Sequence, residues 1–332
     1  MSWFFFAFIC VLGWGFADLF YKRGTDESDR YSHLKIAVWV GLMMGVCALL
    51  LLPLSETKDW SVVSLLDKAV RYAPASLAYI ISMVIGYAGL RYLELSIVSP
   101  VQNASGALSA IAMLVYFIAV GRIGGFWESF SALDVIGTVL IAGGVIALGV
   151  VEHRLADREK KAIAGAADPA KAAENRKYRY GALALLFPIL YCVFDTVGTA
   201  ADGIILDEET GLGVGEIDVL VLYGLTFFVA GIVCWFVLLA RTKKPYNPFA
   251  LRSEWPKAGA AVFEEFGQVF YVYAMAKEPV LAAPMVASYC IVSVILSRVF
   301  LKEKLKAGQY ACIIAVIAGI VLLGISEGLA EA

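Results

Sequence analysis

Long apolar runs separated by short charged stretches dominate the chain from end to end. A helix needs about 20 mostly apolar residues to cross the roughly 30 Å hydrocarbon core of a bilayer. Ten segments meet that length: 3–22, 36–54, 73–92, 95–119, 131–151, 179–203, 217–240, 256–275, 279–300 and 307–326. The first reads as a span and not a cleaved signal, because it lacks a basic leader and an A-x-A site and carries Asp18. Between the fifth and sixth spans, residues 152–179 are Ala-rich and charged with no apolar stripe, which predicts a solvated, partly helical linker. The chain therefore divides into a first unit, 1–152, a linker, 153–178, and a second unit, 179–332.

Composition narrows the class. Hydrophobic residues make up 61% and charged residues 17%, with mean hydropathy +0.78; soluble domains carry about 25% charge. This much apolar surface points to an all-α integral membrane protein and excludes disordered, collagen-like and disulfide-stapled classes. The net charge of -2 offers no basic field for nucleic acid. Six cysteines lie in apolar runs without metal spacing, and only two histidines, His33 and His153, are present. Zinc, haem and iron–sulfur chemistry lack their ligands, and no cofactor is expected.

Lys and Arg set orientation, being enriched on the cytoplasmic side. Of 27 such residues, 22 fall in the odd-numbered loops between the ten spans, eight of them between Arg154 and Arg179. The other five are Lys58, Lys68, Arg71, Arg122 and Lys277. The split predicts a multi-pass protein of the cell (inner) membrane with residues 153–178 in the cytoplasm and both termini outside.

The halves resemble each other. Shifted by 184 residues, Tyr87, Glu94, Pro100, Ser109, Ile111 and Val115 fall on Tyr271, Glu278, Pro284, Ser293, Ile295 and Val299. At 177, Trp14 and Asp18 fall on Tyr191 and Asp195; at 175, Gly149 and Glu152 fall on Gly324 and Glu327. A repeat of five spans re-enters the membrane from the opposite side, so the expected architecture is ten transmembrane helices as two inverted five-helix repeats, a construction secondary transporters favour.

The Trp14-Gly15 pair, the Ser99-Pro100 start of the fourth span and the run EPVLAAPMVASYCIVSVILSRVFLKEKL (278–305), followed by AVIAGIVLLG, resemble the drug/metabolite transporter superfamily, most closely its EamA-like branch. The resemblance implies a gradient-driven carrier without bound cofactor, its cavity between the halves. Substrates of that superfamily include amino acids, nucleotide sugars, choline-like amines and toxic cations.

Ionisable groups inside a bilayer are costly and usually face a cavity. Trp14/Asp18 and Tyr191/Asp195 each place a ring and a carboxylate one turn apart on one helix face, a pairing suited to an organic cation. By residue count, Asp18 and Asp195 lie near opposite mouths. Glu264, Gln268, Tyr271 and Met275 form a stripe on the eighth span, with Glu265 about 100° away. At the repeat offset Glu264 meets Ile80, so the acid belongs to one half only and points to substrate or proton coupling. Asn103 and Tyr289 follow Pro100 and Pro284, where freed backbone can line a site. Ser105/Ser109, Ser293/Ser297 and Ala315/Gly319 read as small residues for close helix packing. The favoured function is a secondary active transporter of an amine or quaternary ammonium compound. A multidrug or amino-acid exporter and, distantly, a membrane-embedded enzyme stay open as alternatives, although no HExxH, GxSxG or His-Asp array supports catalysis. Expected partners are a small-molecule substrate and the lipid bilayer, with a proton as coupling ion and a homodimer left open.

Overall fold

A computed structural model describes residues 1–26, 28–55, 61–164, 186–207, 214–250, 252–302 and 305–330. All regular structure among them is helical: α1 (Trp3–Gly24), α2 (Ser32–Leu51), α3 (Val62–Gly89), α4 (Leu95–Gln102), α5 (Ser105–Ala119), α6 (Phe126–Ser129), α7 (Ala132–Ala164), α8 (Leu186–Leu206), α9 (Glu216–Thr242), α10 (Trp255–Lys277), α11 (Pro279–Ala287), α12 (Tyr289–Leu296) and α13 (Ala307–Ala330). A π-helical turn, Ser297–Leu301, extends α12.

Nine helices among the described residues are long and apolar enough to cross a membrane, counting α4 with α5 and α11 through the π turn as single spans. The eighth expected span, α10, is long enough but is made too polar for that set by Glu264, Glu265 and Gln268. Two boundaries move. α3 starts at Val62 and carries Pro74 inside it, so the third span begins eleven residues before the expected 73. The fifth span, α7, runs on to Ala164, twelve residues into the expected linker; the rest of the linker, 165–178, and the predicted sixth-span start, 179–185, lie outside the described residues.

Local chemistry fixes the ends. The Ser2 side chain accepts from the Phe5 amide at the start of α1, while Lys22 and Arg23 stand at its negative C-terminal end. The Lys22 ammonium also donates to the carbonyls of Leu90 at 2.7 Å and Leu93 at 2.9 Å, tying α1 to the end of α3. The fourth and ninth spans break at corresponding places. α4 gives way to α5 at Asn103–Ala104, and α11 to α12 at Ser288, three to four residues after Pro100 and Pro284, which the sequence comparison of the halves aligns. Proline lacks the N–H that a continuous helix needs, and both breaks are bridged by tighter i+3 bonds: Gly106 N to Asn103 O at 3.2 Å, Ile291 N to Ser288 O at 2.9 Å.

The main packing partners join the halves. Span one (α1) lies on span eight (α10), two (α2) on seven (α9), three (α3) on six (α8), five (α7) on ten (α13), and the halves of span four on those of span nine. Exchanging the two groups of five spans leaves this pattern unchanged. Gly106 sits where the broken spans cross: a Cβ there would collide with the Ala287 methyl and the Ala283 carbonyl. Large apolar side chains such as Leu50, Val63, Val70, Ile111, Val115 and Ile314 point outward. That belt has no place in water.

Candidate functional site

The two broken spans meet α1, α3, α8, α9 and α10 around a cavity with about 760 Å³ of empty space, its mouth included. All nine residues singled out in the sequence line it: Trp14, Asp18, Asn103, Tyr191, Asp195, Glu264, Gln268, Tyr271 and Tyr289. Asp18 Oδ2 accepts from Ser99 Oγ at 2.6 Å and Ser293 Oγ at 2.7 Å. Asp195 Oδ2 accepts from Ser105 Oγ at 2.6 Å, and the Tyr191 hydroxyl meets the same carboxylate. One expectation changes here. Ser105 and Ser293 are hydrogen-bond donors to buried carboxylates, beyond being small packing residues. The two aspartates line one cavity, held by serines on either side of the break in the fourth span.

One wall is aromatic. The Trp14 indole stacks on Tyr271 with centroids 5.1 Å apart and meets Tyr289 edge-on at 5.6 Å. Its Nε1 donates to the Glu264 carbonyl at 3.1 Å. Gly267 makes the approach possible, since a Cβ there would run into the indole. Asn103 Nδ2 donates to the Ser99 carbonyl at 2.8 Å and also meets the Tyr289 hydroxyl, closing the helix break with side-chain bonds.

Opposite, Tyr87 donates to Tyr21 at 3.1 Å, and Tyr21 donates to Glu264 Oε2 at 3.1 Å. Glu265 does not line the cavity; it faces Cys47 of α2, the neighbouring-helix contact its angular offset suggested. Gln268 is buried with its Nε2 unpartnered among the described residues. Toward the C-terminal end of α8 the Tyr79 and Tyr271 hydroxyls are 2.6 Å apart, and Tyr79 donates to Thr199 Oγ1 at 3.1 Å.

The lining thus holds three carboxylates, Trp14 and seven tyrosines, with no Lys, Arg or His among the described residues. Tyr21, Tyr79, Tyr87 and Tyr223 were not anticipated. A helical signal was available for two of them: Tyr79, Met83 and Tyr87 recur at i, i+4 and i+8 on one face of α3. Chemically, such a cavity attracts positive charge by carboxylate and ring quadrupole together and gives an anion no counter-charge.

Comparison with known proteins agrees with the fold. Residues 210–325 match the model of the EamA-like transporter family, bearing out the resemblance drawn from sequence. Among the solved structures that match is a crystal structure that shares the fold at 14% identity, with a TM-score of 0.58 and 99% of each chain covered. No curated protein sequence matches the chain.

Proposed function

We propose that this chain, whose residues 210–325 match the EamA-like transporter family, is a multi-pass membrane transporter that carries a small organic cation, an amine or quaternary ammonium compound, by alternating access. The observation that carries the reading is the cavity lining: three carboxylates and eight aromatic rings with no basic group among the described residues. Asp18 and Asp195 hold negative charge on either side of the break in the fourth span, and Trp14, Tyr271 and Tyr289 form a corner of rings between them. Glu264 serves substrate and proton by turns, its carboxylate pairing with the cation and its acid form releasing it. Exchange of one for the other across the membrane is antiport.

The construction supports alternating access. The helix pairing is unchanged when the halves are exchanged, and both broken spans fail within four residues of matched prolines. Those features support two inverted repeats, 1–152 and 179–332, rocking about the cavity. A carrier needs no catalytic group, and we assign none.

Radiolabelled choline, which has no membrane-permeant neutral form, is the test substrate. Proteoliposomes loaded with unlabelled choline should accumulate label against the gradient, and excess choline-like amines should compete while anionic metabolites should not. Trp14→Ala and Tyr191→Ala should each weaken choline binding by about 0.5–2 kcal/mol. Exchange of an anion in place of choline, or unchanged choline affinity in both variants, rejects the reading.

A further inference from the structure

Asp202 lies two helical turns beyond Asp195 on α8, in the last turn of that helix and outside the cavity lining. It is 0% exposed; neither carboxyl oxygen has a close, well-aligned hydrogen-bond partner among the described residues, and the donors turned toward it are the Tyr72, Tyr79 and Tyr271 hydroxyls. The groups that face it are Tyr72 and Tyr79 from α3, Tyr223 from α9, Tyr271 from α10 and Asp195 from its own helix. At the adjoining Gly203, α5 and α11 present Met113 and Pro279, which carry no charge. No cation stands among these groups.

The neighbouring buried aspartates are treated differently. Asp207 pairs with Arg122 at 3.1 Å, and Asp218 pairs with Lys68 at 2.8 Å and also accepts from Ser55. Asp18 and Asp195 have their serines. An uncompensated buried carboxylate is costly, whereas the neutral acid carries its own hydrogen and demands far less of its surroundings. Two of the tyrosines facing Asp202, Tyr79 and Tyr271, also line the cavity, and their hydroxyls are 2.6 Å apart. They stand between the acid and the space the substrate occupies.

We propose that Asp202 is a second proton-carrying site, reached from the cavity through the Tyr79–Tyr271 pair and never touched by substrate. The transfer makes and breaks only O–H bonds. A tyrosine oxygen takes the acid's proton while its own hydroxyl proton passes to the partner hydroxyl and on to water in the cavity, and the reverse sequence refills the carboxylate. The proposal rests on the transport reading and adds one proton per cycle to that exchanged at Glu264.

Infrared spectroscopy of the purified full chain in detergent decides whether the proton is there. The protonated-carboxyl C=O stretch should lose one component in Asp202→Asn, and saturating choline or sodium chloride should leave that component in place. Its loss on adding sodium would make the site a sodium site and overturn the proposal, as would an unchanged spectrum in Asp202→Asn. Should that variant not fold, Asp202→Glu must shift the component, and an unshifted band refutes the assignment. In proteoliposomes at zero voltage, Asp202→Asn should keep choline counterflow while the choline gradient sustained by one unit of pH difference falls tenfold, one proton's worth. An unchanged gradient overturns the proposal. Failure of choline counterflow by the unsubstituted protein rejects the transport reading instead, and the infrared result still stands or falls alone.

Discussion

Glu264 and Glu265 are neighbours in the chain and strangers in space. A helix turns about 100° per residue, so one carboxyl reaches the Tyr21 hydroxyl in the cavity and the other faces Cys47 on α2. If cation and proton compete at Glu264, acid conditions remove the anionic partner and choline affinity falls with pH, by at most about tenfold per unit. Glu264→Gln cannot titrate and should flatten that dependence and abolish transport driven by a pH gradient; Glu265→Gln should do much less. Choline affinity measured across pH in both variants checks this, and equal effects refute it. The stripe of Glu264, Gln268 and Tyr271 was legible in the sequence because polar groups at helical spacing in an apolar run are expensive and conspicuous. Tyr21, Tyr79 and Tyr87 were not: a tyrosine is at home in lipid, at an interface or in a cavity, and only packing decides. Asp202 shares the i, i+7 spacing with Asp195, yet its surroundings of tyrosines without a cation depend on several helices meeting.

Among the elements, the two broken spans place the site. Their prolines marked them in the sequence, while the tight crossing at Gly106 arises from contacts between residues about 180 positions apart and has no local signature. Gly106→Val should lower thermal stability by about 1–3 kcal/mol through overpacking and reduce choline exchange by pushing the spans apart. Gly143→Val, at a position with open space around it, should leave melting and exchange near their starting values. Melting curves of the two variants in one detergent make the comparison, and equal losses would deny the crossing its role. The early start of α3 at Val62 escaped the sequence reading because Lys68 and Arg71 interrupt the apolar run. In the fold both charges are answered, Lys68 by Asp218 and Arg71 by Asp67. The run of α7 past the membrane to Ala164 was hidden by the opposite bias: a charged, Ala-rich segment with no apolar stripe gives a weak helix signal.

At the scale of the whole molecule, orientation is the open quantity, and the distribution of Lys and Arg argues for it. Cysteine replacing exposed Gly124, between α5 and α6, should react with a membrane-impermeant thiol reagent in intact cells, and cysteine replacing Lys244, after α9, should react only once the membrane is opened. The opposite labelling would invert the assigned topology. Nine of the ten spans expected from hydropathy recur, in order, among the described residues as helices long and apolar enough to cross a membrane. Which helix lies against which was not legible there, because lipid-facing and partner-facing sides of such helices are equally apolar. That pairing has a consequence for how the protein is made. Each of the five main contacts joins a helix from the first half to one from the second, so the first five spans leave the ribosome before most of their chief partners exist. Asp18, Tyr79 and the fourth-span serines must wait in the bilayer without the surfaces that later bury them. A nascent chain that stalls after α7 has nothing to settle into, and membrane quality control can read it as unfinished.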